Sequence, residues 1–107
     1  MVGSAELKRI AEAINGKIVD EGGGYRSVYG FYRSGYVAYV ELPRGHPDIG
    51  KDETRLKPRV NGGLTFGYKR IFGWDYSHHW DDHRSCYSID EHIRNALSYF
   101  RRREKKC

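Results

Sequence analysis

Three histidines and three aspartates fall within the nine residues Asp75-Tyr76-Ser77-His78-His79-Trp80-Asp81-Asp82-His83. Imidazole nitrogens and carboxylate oxygens are the ligands of zinc, manganese and iron sites, and they carry acid–base work near neutral pH. Asp75, His78 and Asp81 are spaced three apart. On an extended strand neighbouring positions diverge, whereas on a turn or short helix leaving the strand these three could converge. His46 is a candidate fourth ligand. The chemistry this implies is a divalent metal, zinc or manganese, that activates a water against a phosphoester, with His79 or His83 as acid or base. The plainer reading is a polar loop, because Asp caps turns through its own backbone and both residue types are common in loops. No complete catalytic set is visible, so a binding role is favoured over catalysis.

Two other features bear on function. Tyr25, Arg26, Tyr29, Phe31, Tyr32, Arg33, Tyr36 and Tyr39 crowd into one hairpin. Aromatics interleaved with Arg can stack nucleic-acid bases, but aromatics are also good strand formers. The glycine-aromatic signature of the common RNA-recognition fold is missing, so core packing plus surface tyrosines is favoured. An exposed tyrosine face would equally suit a protein partner. The glycine-bearing loops, Arg44-Gly45-His46-Pro47 with Gly50-Lys51 and Asn61-Gly62-Gly63, lack phosphate-loop spacing and read as turns. Neither a nucleophile elbow nor a dinucleotide fingerprint occurs.

These groups need elements to position them. Leu7, Ile10, Ala11 and Ile14 follow a helical stripe, with Ser4 as N-cap and Asn15-Gly16 as the stop. Lys17 to Asp20 is a short strand, and Glu21 to Gly24 a flexible break. Tyr25 to Arg33 and Tyr36 to Leu42 are strands around a tight Ser34-Gly35 turn. Residues 44 to 59 form a long loop. Val60 opens a further strand region, and Leu64 to Tyr68 pairs with Ile71 to Asp75 around Lys69-Arg70. Ser88 and Glu91 make a capping box before the stripe Ile89, Ile93, Ala96, Leu97, Phe100. The expected fold is α+β: an antiparallel sheet of four to five strands packed against an N-terminal and a C-terminal helix, in two layers. Residues 1–100 form one domain, and residues 101–107 a basic C-terminal tail, read as a solvated, fraying helix end whose cations suit the negative end of the helix dipole.

Composition narrows the class. The 107 residues suffice for one domain, and 15 aromatics (9 Tyr, 4 Phe, 2 Trp) oppose disorder despite a mean hydropathy of −0.79. Nineteen Lys and Arg against 14 Asp and Glu give +5, and five cations against Glu104 put +4 of it in the tail. The body is thus near neutral, and a nucleic-acid face on it is not favoured. Cys86 and Cys107 are too few for a disulfide scaffold and too far apart for a cysteine zinc site. A reducing cytoplasm, with neither membrane span nor secretory leader, is expected.

One resemblance adds a setting. The stretches Tyr36-Val37-Ala38-Tyr39-Val40, Gly45-His46-Pro47 with Gly50-Lys51, Val60-Asn61-Gly62-Gly63-Leu64-Thr65-Phe66, and Phe72-Gly73-Trp74-Asp75 with His78 and Asp81 resemble a group of small proteins encoded in phages, prophages and mobile elements. The likeness covers residues 35 to 81. This chain has Asn61 where the group carries His before the glycine pair, and Tyr76 where it carries Cys. The resemblance implies a phage-type accessory protein in a bacterial host cell. Such proteins often block host defences, so the expected partner is a defence protein or a signalling nucleotide. The expected binding residues are His46, Asn61, Gly62, Gly63, Asp75, His78 and Asp81.

Overall fold

The computed structural model describes residues 4–33, 35–76 and 85–104, with side chains throughout except at 85–88. Helix α1 spans Ala5–Ala13, and the Oγ of Ser4 accepts the Leu7 N–H at 3.2 Å, so the predicted cap holds. The left-handed residue that ends α1 is Asn15, at φ 54°, rather than Gly16. Gly16 serves a close approach instead: a Cβ there would lie 2.5 Å from the Tyr29 carbonyl oxygen. Gly30 does the same from the other side, where a Cβ would lie 2.2 Å from the Ile14 carbonyl oxygen. Both glycines let the end of α1 sit directly on the sheet.

Five strands follow: β1 (Val19–Gly22), β2 (Tyr25–Tyr32), β3 (Gly35–Glu41), β4 (Phe66–Tyr68) and β5 (Ile71–Asp75). All pair antiparallel in the order β1-β2-β3-β5-β4. Tyr32 opposes Gly35, so the first hairpin closes one residue earlier than the sequence suggests. Arg33 sits at φ 59° and Lys69 at φ 57°, the positive angles that two-residue hairpin loops demand. Val60 does not open a strand; regular pairing begins only at Phe66. Pairing of β1 with β2 is bulged between Asp20 and Gly22.

The sheet is covered on both faces, so the molecule has three layers rather than the expected two. Alternation along β3 explains this. Ala38 and Val40 join Phe72 and Trp74 under helix α2 (Ser85–Glu104), while Val37 joins Val28 and Ile71 under α1. Leu42, Leu56 and Leu64 carry the long β3–β4 connection into the α2 core. Phe100 of α2 is fully buried and stacks on Phe72 with centroids 5.5 Å apart. Helix α2 begins at least three residues before the predicted capping box, so Ser88 lies within the helix and does not cap it.

Residues 101–104 continue α2 as a helix end, and their side chains are tied down rather than fraying. Arg103 donates to both oxygens of Asp48, at 2.6 and 3.0 Å, and Lys51 pairs with Asp48 at 3.0 Å. Arg101 donates to the Glu21 carbonyl at 2.6 Å, and Glu104 accepts the Tyr25 hydroxyl. The Asp48 side chain is fully buried. Burial pushes its carboxyl up, but hydrogen bonds from Arg103 and Lys51 overcome this and hold it below the ordinary value of 3.8. Breaking a buried pair costs about 3–5 kcal/mol; with Arg103 still one-third exposed, Asp48→Asn is expected to cost about 2–3 kcal/mol in urea unfolding. Because the folded value is lowered, the wild-type contribution is complete above pH 3.8 and is lost as pH falls through the lower folded value. The variant should therefore show a shallower acid limb.

Candidate functional site

The end of the sheet where β5 finishes gathers part of the polar cluster. Asp75 closes β5 opposite Val37 of β3. The Asn61 Nδ2 donates to the Asp75 carbonyl at 3.1 Å, and the Thr65 hydroxyl donates to the Asp75 carboxylate at 3.4 Å. Gly62 and Gly63 take φ 69° and 77°, and the Gly63 N–H donates to the Val60 carbonyl at 3.1 Å. These angles suit glycine and fold the segment into a turn beside Asp75. Asn61, Gly62, Gly63 and Asp75 thus lie together at one end of the sheet.

His46 does not join them. It follows the opposite end of β3, where Glu41 opposes Ile71, about 14 Å of strand from Val37. Its ring is buried against Tyr25 and Phe100. The Nδ1 atom accepts the Asp48 N–H at 3.0 Å, which leaves the proton on Nε2 to donate to the Phe100 carbonyl at 2.8 Å. Both nitrogens are spent on fixing the loop to α2, so His46 holds the fold and is unsuited to ligate a metal with Asp75. His78 and Asp81, together with His79 and His83, lie outside the described residues. Among the described residues no group of three or more His, Cys, Asp or Glu side chains could hold a metal ion.

A second polar chain adjoins Asp75. The Trp74 Nε1–H donates to the Tyr76 hydroxyl at 2.9 Å, and that hydroxyl meets His92 Nδ1 at 2.7 Å. The Tyr76 hydroxyl thus bridges the Trp74 indole and the His92 imidazole. The two rings stack with centroids 5.8 Å apart. Burial pushes the His92 imidazole below its ordinary 6.5, against a smaller opposing pull from Glu91. The sequence reading passed over His92 and noted Tyr76 only as a departure from the phage-group pattern. Their only signal was position: His92 flanks the apolar stripe of α2 beside Ile93, and Tyr76 follows the last residue of β5.

The hairpin aromatics divide by face. Tyr25 is buried and Tyr39 half-buried, packed edge-on against Phe66 at 5.4 Å. Val19, Tyr29, Phe31 and Tyr36 lie exposed on the face that carries α2, beside the area the helix covers. Phe31 and Tyr36 form a T-shaped pair at 5.1 Å. The Tyr76 N–H donates to the Tyr36 carbonyl at 2.9 Å, so this patch and the Asp75 cluster share one end of the sheet. Among the described residues no helix is long and apolar enough to cross a membrane. No family model matches the chain, and neither a curated protein nor a solved structure matches it.

Two measurements check the Trp74–Tyr76–His92 chain. Tyr76→Phe leaves an indole N–H and an imidazole nitrogen without their partner and is expected to cost about 1–3 kcal/mol. The folded His92 value is depressed, so its contribution is whole above pH 6.5 and is lost as pH falls through the folded value. A thermal-melt series against pH should show this loss in the wild type and a weaker one in His92→Gln.

Proposed function

We propose that the protein acts by binding, as a phage-type accessory protein that inhibits a bacterial host defence system by docking on a defence protein. The observation that carries this reading is the exposed aromatic face. Phe31 is 53% exposed, Val19 47%, Tyr29 44% and Tyr36 36%. A cluster of large apolar side chains left in water is unfavourable unless something covers it, and aromatics are the side chains that dominate interface hot spots. A groove of about 300 Å³ runs between this patch and α2, with Asp90 and Arg94 at its polar rim. An apolar centre with a charged rim is how specific protein interfaces are built. The biological setting comes from the phage-protein resemblance in residues 35 to 81, whose last motif includes Asp75, at the same end of the sheet as Tyr36.

The test is phage plating on a host that carries a defence system, with the protein expressed in that host. The wild type should restore plating. The double variant Phe31→Glu, Tyr36→Glu should lose the effect, since two hot-spot truncations weaken binding on the order of a hundredfold or more. The variant gives up the T-shaped pair and sets two carboxylates opposite each other, so it is expected to lose about 1–3 kcal/mol, and a thermal melt checks that it stays folded. Full restoration by the double variant would remove the face from the interface. Treatment of purified protein with a chelator should leave binding to the defence protein unchanged; loss on chelation would favour the metal-dependent phosphoester hydrolase instead.

A further inference from the structure

The segment before Val60 lies against α2 and forms a groove with it. Burial alternates along this segment: Leu56 and Pro58 are buried, Lys57 and Arg59 exposed. Two hydrogen bonds fix it to the helix through its backbone. The Tyr99 hydroxyl accepts the Lys57 N–H at 2.9 Å, and the Asn95 Nδ2 donates to the Arg59 carbonyl at 2.9 Å. Attachment thus uses the main chain and leaves both cationic side chains outside. The groove has a volume of about 510 Å³ and is lined by Lys57, Arg59, Asn95, Ser98, Tyr99 and Arg102.

Its charge is one-sided. Three lining side chains are cations and none is a carboxylate. Lys57, Arg59 and Arg102 are exposed and make no ion pair among the described residues. The neighbouring cations differ: Arg103 and Lys51 hold Asp48, and Arg101 holds the Glu21 carbonyl. Glu91, four residues ahead of Asn95 on the helix, bounds the strip at its N-terminal end. The near-neutral body of the chain therefore carries a local positive field here, and like charges gathered without a counter-charge favour an anion. Neutral donors complete the wall. The Tyr99 oxygen accepts from Lys57, so its own O–H can still donate, and Ser98 is exposed beside it.

We infer that this groove grips the phosphodiester backbone of duplex nucleic acid. Lys and Arg with hydroxyl donors are the groups that contact phosphate oxygens. An acidic protein partner fits less well, because the lining has no apolar centre of the kind protein interfaces are built around. A membrane surface fits less well, because no exposed apolar side chain lines the groove to enter the lipid. A single strand would need a free ring on which to stack its bases. The one ring present, Tyr99, is half-buried, with the Arg103 guanidinium 5.3 Å over it and Phe100 edge-on at 5.2 Å. A duplex also carries the denser charge. Asp90 and Arg94 belong to the groove beside the docking face. The two grooves share no residue, and neither assignment depends on the other.

The test uses the full chain and fluorescently labelled 20-base-pair duplexes of DNA and of RNA, with fluorescence anisotropy read across a salt series. Saturable binding with a Kd of about 1–100 μM at physiological salt is expected for at least one duplex, and the tighter of the two separates DNA from RNA. Changing the base sequence should leave the affinity within about threefold, since phosphate contacts carry no sequence information. The triple variant Lys57→Gln, Arg59→Gln, Arg102→Gln should weaken binding by at least about tenfold and lower the slope of log affinity against log salt by about 2–3, near one for each lost phosphate contact. A charge-matched variant elsewhere, Arg9→Gln, Lys17→Gln, Arg44→Gln, should bind within about threefold of the wild type, which separates the groove from overall charge. A thermal melt checks that both variants stay folded. The inference is overturned if neither duplex saturates, if the groove variant keeps the wild-type affinity and salt slope, if the charge-matched variant loses as much as the groove variant, or if polyglutamate, single-stranded DNA or vesicles containing phosphatidylserine bind as tightly as the better duplex.

Discussion

Two helices on opposite sides of one sheet can be sustained only where the central strand is apolar on both faces. β3 meets that demand with Val37, Ala38, Tyr39 and Val40 in succession. Each side of this strand meets a different helix, and each neighbour is placed by its register to β3. Once Val28 opposes Tyr39 and Phe72 opposes Val40, the faces of β2 and β5 are fixed as well. A register slip of one residue would turn the apolar sets of both layers to the wrong helix at once. The glycines at 16 and 30 follow from the same constraint, because α1 can reach its side of the sheet only where no Cβ intervenes.

Charge then locks the helices in place. Two carboxylates, Glu41 and Asp48, have fully buried side chains at the same end of the sheet. Glu41 holds the start of α1 through Ser4, and Asp48 holds the end of α2 through Arg103. The desolvation of each carboxylate is offset by several donors rather than one, the condition under which buried charge is tolerated. Lone Glu41 Oε1 is the exception. The other end of the sheet is held by neutral groups, the amide of Asn61, the hydroxyl of Thr65 and the Trp74–Tyr76–His92 chain. The two ends differ in chemistry: buried charge fixes the helix ends at one, and the Asp75 cluster is held by neutral donors at the other.

Much of the fold was legible because local signals sufficed for it. Ser4 before an apolar stripe reads as a cap, and Lys69-Arg70 between apolar runs reads as a hairpin turn. The layer count was not read correctly, although the unbroken apolar run in β3 is the mark of a strand buried on both faces. The start of α2 was misplaced because Ser88 and Glu91 have capping-box spacing, and spacing alone cannot tell a cap from an interior turn. At the site, Asn61, Gly62, Gly63 and Asp75 were legible as motif residues around a strand end. His46 was misjudged because its partners, the Asp48 amide and the Phe100 carbonyl, are backbone groups that residue type does not reveal. Arg101, Arg103 and Glu104 read as a fraying helix end because Asp48, Glu21 and Tyr25, which hold them, are more than fifty residues away in sequence.

The bulge in β1 has a bearing on how the molecule behaves in a crowded cell. A sheet with open edges invites other chains to add strands, and long flat edges are the usual route to aggregation. Here one edge strand is interrupted between Asp20 and Gly22, and the Arg101 guanidinium already occupies the carbonyls of Glu21 and Gly22. The other edge, β4, is only three residues long. Neither border offers a template for cross-β growth. The protein can therefore display Phe31 and Tyr36 to water without an adjoining edge that would convert such exposure into fibrils.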